Sequence, residues 1–144
     1  MISNDVIQAA IIAKLKANTA LVAWLTNLNA GSEIRESQWQ GTVFTYPAVR
    51  VDLGTQVPGP ANGSCHLSES EIPFSVYSMS EADSSQQADV LAGLVNTALF
   101  SNRISGTNWT SLVIDSDGLI SASREAPRFW RATGLYRVRI YGNT

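Results

Sequence analysis

The sequence predicts an α+β fold in two layers, a mainly antiparallel sheet with helices packed on one face. Three observations carry that expectation. Apolar residues recur at helical spacing in the first 28 positions and again between 82 and 100, whereas the intervening and closing segments alternate with period two. No internal repeat, low-complexity tract or linker divides the chain, so residues 1–144 read as a single domain. At 144 residues and 44% apolar composition, the chain can bury on the order of 70% of the surface its unfolded form exposes. Amphipathic helices and half-apolar strands each need an apolar partner, and stacking one layer on the other supplies it.

Ser3-Asn4-Asp5 offers helix N-cap chemistry, and Ile7, Ile11 and Leu15 follow at helical spacing, which predicts a helix near 4–17. Leu21, Val22, Trp24, Leu25 and Leu28 predict a second helix that stops at Asn29-Ala30-Gly31, where Gly accepts the left-handed conformation. From Thr42 to Leu53 the period changes to two, with Val49, Val51 and Leu53 opposite Ala48, Arg50 and Asp52, the pattern of a half-buried strand. Pro58-Gly59-Pro60 and Asn62-Gly63 make 54–64 an exposed loop. His66 to Ser80 resumes alternation at Ile72, Phe74 and Val76, with Pro73 pointing to an edge or a bulge and the length suggesting a protruding hairpin arm.

Ser80-Glu81-Ala82-Asp83 resembles a capping box, and Ala88, Leu91, Leu94, Val95, Ala98 and Leu99 form one apolar stripe, which predicts a helix over 82–100. After a loop from Asn102 to Asn108, Trp109–Asp115 and Leu119–Arg124 read as strands joined by a hairpin turn at Ser116-Asp117-Gly118. The last strand is the clearest. Trp130, Ala132, Gly134, Tyr136, Val138 and Ile140 share one face, and Arg131, Thr133, Leu135, Arg137, Arg139 and Tyr141 share the other. The expected core joins Leu91, Leu94, Val95 and Leu99 to Trp130, Tyr136, Val138 and Ile140.

Composition narrows the function. A net charge of −2 and a sequence pI near 5.3 argue against a general nucleic-acid binder, whose surface needs concentrated Lys and Arg. One Cys and one His leave no disulfide framework and no His/Cys zinc constellation, the usage of a reducing compartment. No run approaches the roughly 20 apolar residues that span a bilayer, and Met1-Ile2-Ser3-Asn4-Asp5 lacks a signal's basic start, so no membrane partner is expected and the Asn62 and Asn108 glycosylation triplets read as chance. Charged residues are only 15% of the chain, replaced by 17 Ser, 10 Thr, 9 Asn and 6 Gln, a surface suited to subunit contacts. The charge is also segregated. Residues 52–117 hold Arg103 against eight acids, whereas 124–144 hold five Arg against Glu125.

No residue set carries catalysis. Cys65 and His66 are the only thiol and imidazole, and as strand neighbours they point to opposite faces. Asp115-Ser116-Asp117-Gly118 opens like a calcium loop, yet Leu119 follows and Ala126 stands at the twelfth position, so no metal site results. Glu69 and Glu71 share a strand face but lack a cleft that would raise one pKa for acid–base work. Neither GxxxxGK[ST] nor GxGxxG occurs, and the four Trp read as core or interface anchors. No enzyme activity and no cofactor are expected.

The order of elements does point to a family. A helical start, the strand Tyr46-Pro47-Ala48-Val49-Arg50-Val51, a long strand ending Phe74-Ser75-Val76-Tyr77-Ser78, the helix 82–100 and the closing strand Tyr136-Arg137-Val138-Arg139-Ile140 together resemble the tail terminator, or tail-completion, proteins of long-tailed bacteriophages. The resemblance spans nearly the whole chain and rests on pattern and length. It implies a homo-oligomeric ring, usually of six copies, assembled in the host cytoplasm and located in the virion at the head-proximal end of the tail. Its implied partners are the tail tube protein, the head-tail connector protein and, only passing through the lumen, DNA. A different neck or head-tail connector subunit is the nearest alternative; a small ligand-binding α+β domain or enzyme, marked by a deep apolar pocket, is the one from another class.

A closed ring joins two different patches of each subunit. The candidate interface is the strand face carrying Arg131, Leu135, Arg137, Arg139 and Tyr141, with Glu69, Glu71, Asp115 and Asp117 supplying matching charge. Exposed pairs contribute only about 0 to 1 kcal/mol each, so Leu135 and Tyr141 are expected to supply contact area and the charges its register.

Overall fold

A computed structural model describes residues 2–28, 33–41, 45–58 and 68–142. Its helices are α1 (Asn4–Lys16), α2 (Thr19–Asn27) and α3 (Gln86–Leu99). Its strands are β1 (Ile34–Glu36), β2 (Ala48–Leu53), β3 (Val57–Pro58), β4 (Ser68–Glu81), β5 (Ser105–Gly106), β6 (Trp109–Ser111), β7 (Asp115–Ala126) and β8 (Phe129–Gly142). One sheet runs β1-β2-β4-β8-β6-β5, with β3 beside β4 and β7 beside β8. Only β1 and β2 pair parallel; every other ladder among the described residues is antiparallel. The α+β expectation holds, and all three helices lie on one face.

Period-two apolar positions build that contact. Ile72 is opposite Val138, Phe74 opposite Tyr136 and Val51 opposite Val76, so the apolar sets of three strands coincide on the helix side. They meet Ile7, Ile11 and Leu15 of α1, Leu21 and Leu25 of α2, and Leu91, Val95 and Leu99 of α3 in one buried cluster. Each such side chain contributes roughly 1.5 to 3 kcal/mol by leaving water. Phe74 stacks on Tyr136 at 5.4 Å, and the Tyr136 hydroxyl donates to Asn96 Oδ1 at 3.2 Å. A side chain at Gly134 would strike the Tyr136 ring, with Cε2 only 2.6 Å from the added Cβ. The Asn18 side chain caps α2 by accepting the Leu21 amide at 3.0 Å. Among the described residues no single helix is long and apolar enough to cross a membrane.

Several expectations change. Helix α3 starts at Gln86 because β4 stays paired with β8 as far as Glu81 opposite Phe129; Ser80 is a buried strand residue and caps nothing. Leu94 is half-buried and Ala92 takes its place in the stripe, while Trp130 sits with Ala88, Ala92, Ala122 and Ala132 outside the main core, its indole donating to Ala82 O at 3.0 Å. Ser116-Asp117-Gly118 is a bulge within β7, not a hairpin turn. Asp117 is the extra residue, Gly118 takes φ 129°, and the real turn is Pro127-Arg128, with Arg128 at φ 62°. The strand from Trp109 is correspondingly short, ending at Ser111.

Pro73 lies in a central strand, and its place there has a physical reason. Its carbonyl accepts from the Gly54 amide at 2.7 Å, so its missing N–H faces the gap where β2 hands over to β3. Within the expected 54–64 loop, Val57 and Pro58 pair with Glu71 and Ser70. Ile34–Glu36 was not expected as a strand, and β2 is buried on both sides from Ala48 to Val51. Cys65, His66, Asn62-Gly63, Asn29-Ala30-Gly31 and the strand start at Thr42–Phe44 lie outside the described residues.

Candidate assembly surface

Among the described residues no helix lies over the sheet face away from α1, α2 and α3, and the ladder decides which side chains gather there. Glu71 is opposite Arg139, Pro73 opposite Arg137, Ser75 opposite Leu135, Tyr77 opposite Thr133 and Met79 opposite Arg131. All nine residues singled out from sequence fall on or beside this face, Arg131 toward one end, Leu135 midway and the other seven toward the opposite end.

At one end Arg137 and Arg139 stand between acids of three strands. Arg137 Nε lies 2.9 Å from Asp117 Oδ2, and its Nη1 lies 3.4 Å from Glu71 Oε1. The β7 bulge re-aims Asp117 onto this guanidinium, and Asp117 first, then Glu71, raises the Arg137 pKa above its ordinary value. Arg139 reaches Glu69 and Glu71 at 3.5 Å each. Tyr141 donates to Glu69 at 3.4 Å, and Tyr141 is also the foremost cause of the raised Arg139 pKa. The counter-charges come from the chain's own register, so these acids are already partnered before any neighbour arrives. Asp115 is opposite Arg137 in the ladder and exposed, beside the network.

Two grooves flank the arginines. One, of about 590 Å³, is walled by Val57, Pro58 and Pro73; the other, of about 190 Å³, by Leu112, Val113 and Asp115; both share Glu71, Arg137 and Arg139. Leu135 and Tyr141 are half-buried within the chain. Val57, Leu112 and Val113 expose more apolar surface, 55%, 42% and 42%. Sequence reasoning missed these three, because each sits in a short strand or connection with no periodicity to mark it. Their signal was only an apolar residue inside a predicted loop or strand end.

The other end is closed by the chain itself. Arg131 pairs with Glu125 at 3.2 Å and lies over the Tyr77 ring at 5.0 Å. Arg50 points to this face yet is buried, its Nη2 2.8 Å from Glu33 Oε2 and its Nη1 2.7 Å from the Glu33 carbonyl. Trp39 covers it, with Arg35 stacked 3.9 Å from the indole. Tyr46 and Phe129 meet edge-on at 5.2 Å beyond. Among the described residues no group of three or more His, Cys, Asp and Glu side chains is placed to hold a metal ion.

No protein-family model matches the chain, and no curated protein matches it. In fold the chain is similar to a chain of the virion of a native gene transfer agent (GTA) particle, with a TM-score of 0.66 and 19% sequence identity over 94% of both chains. At that identity the likeness is one of fold.

Proposed function

We propose that this chain is a structural virion protein that closes the head-proximal end of a phage-type tail tube as a ring, ends tube polymerisation and forms the joint to the head connector. The observation that supports the reading is the likeness in fold, across 94% of both chains, to a chain from a gene transfer agent virion. The order of elements, which resembles that of tail terminators, supports the finer assignment. The charged end of the open face looks toward a neighbouring copy or the tube, with Arg137 and Arg139 fixing register. Val57, Leu112 and Val113 supply the apolar contact that exposed ion pairs, at about 0 to 1 kcal/mol each, cannot.

Particles assembled without this chain test the role. A terminator's loss leaves tails of uncontrolled length. Tails of normal length that stay unattached to heads would instead assign the chain to the connector.

A further inference from the structure

We infer that the turn after α3, Phe100–Arg103, is a knuckle that enters the groove walled by Val57, Pro58 and Pro73 on a second copy of this chain. The inference rests on the ring reading above and names the two patches that a closed ring would join. Most exposed turns are polar and loosely held. Here the backbone is tied down: Ser101 takes φ 62°, its amide donates to the Ile114 carbonyl at 3.1 Å, and the Asn102 carbonyl accepts the Ile114 amide at 2.8 Å. The Asn102 side chain turns back to α3 and donates to Ala98 O at 3.0 Å. Ile104 and Ile114 are buried on either side. What this fixed turn presents is apolar. Phe100, 47% exposed, is the one aromatic ring among the large apolar side chains exposed in the described residues. Arg103, three residues on, is exposed and forms no ion pair among the described residues. An aromatic with an arginine beside it is the combination that anchors protein interfaces, and a turn already ordered loses little entropy on docking.

The groove supplies the converse. It lies at the opposite edge of the sheet, for β3 flanks β4 on the side of β2, whereas the 112–114 connection that holds the knuckle follows β8, Leu112 donating to the Arg139 carbonyl at 2.9 Å. Its volume is about 590 Å³ and its walls are Val57, Pro58 and Pro73, a setting for an aromatic ring. Its charge selects a cation. Asp117 is the closest acid to Arg137, at 2.9 Å against 3.4 Å for Glu71. Arg139 positions Glu69 and Glu71 at 3.5 Å each, which leaves one carboxylate in excess, and Arg103 of the next copy matches it. A chain's own knuckle stands about four strand spacings, roughly 19 Å, from its groove. The two halves of the match therefore join different copies, each using both patches, which is the heterologous contact from which rings are built.

A photoreactive aromatic reads the contact directly. The chain carrying Phe100→p-benzoylphenylalanine is assembled with tube protein, irradiated and mapped by peptide mass. The expected adduct joins two copies, residue 100 of one bonded within 55–58 or 69–73 of the other. An adduct to tube protein, or to the same turn of another copy, would overturn the inference. Rings seen by negative stain without an adduct in the groove would overturn it while leaving the proposed function standing. No ring from the unmodified chain with tube protein would overturn both. The charge match has its own test: Arg103→Glu sets a like charge against Glu69 and Glu71 and should lower ring yield about tenfold at fixed concentration. Arg103→Lys should retain most of the yield, and neither change should move the unfolding midpoint, because the side chain is exposed. An undiminished yield from Arg103→Glu would overturn the charge match and the choice of partner with it.

Discussion

Two clusters of the same residue types sit on the open face of the sheet, and burial gives them different work. In the first, Glu33 and Arg50 are 4% and 6% exposed at 2.8 Å, roofed by Trp39 and carrying backbone hydrogen bonds as well. In the second, Arg137 and Arg139 are half exposed, and Glu69, Glu71 and Asp117 surround them at 2.9 to 3.5 Å. A buried guanidinium that loses its carboxylate keeps an uncompensated charge, whereas an exposed one recovers water. The first cluster therefore anchors β1 to β2, and the second sets the chemistry of a surface.

The largest expected effect follows from that contrast. Glu33→Ala should cost about 3 to 5 kcal/mol in denaturant unfolding, the scale for breaking a buried pair. A loss below about 1 kcal/mol would place Arg50 in effective contact with solvent and erase the distinction. Gly134→Ala calibrates the opposite, helix-side face at the same level of the sheet: the added Cβ meets the Tyr136 ring, and overpacking of this kind costs about 1 to 3 kcal/mol by the same measurement. The smallest effect belongs to the exposed cluster. Arg137→Gln with Arg139→Gln should leave the unfolding midpoint nearly unchanged, with any residual shift shrinking as salt rises. The same double variant should weaken ring formation severalfold, so a surface without structural weight would carry assembly weight.

Much of this architecture was legible in the residues. Ile7, Ile11 and Leu15, and the alternation from Trp130 to Ile140, state their period without ambiguity, and the layers follow from it. Strand parity puts Arg131, Leu135, Arg137, Arg139 and Tyr141 on one face of β8, and the ladder sets Glu69 and Glu71 beside them, whereas Asp117 reaches that face through a bulge that parity does not mark. Pairing was less accessible. A capping box at Ser80 and a turn at Ser116-Asp117-Gly118 are local signals, and both lost to β8, whose length demanded partners as far as Phe129 on each side. Burial of Arg50 depends on Glu33, seventeen positions away, and no local spacing marks that pair. Intramolecular neutralisation of Arg137 and Arg139 likewise required the β4–β8 register and the β7 bulge.

The central claim, that this chain forms a ring on a tail tube, is tested most directly by light-scattering mass and negative-stain imaging of the protein with tube protein. The expected result is a closed ring of about six times the 15.5 kDa chain mass seated on tube ends, with tube growth arrested. A chain that stays at 15.5 kDa while tubes elongate unchanged would contradict it.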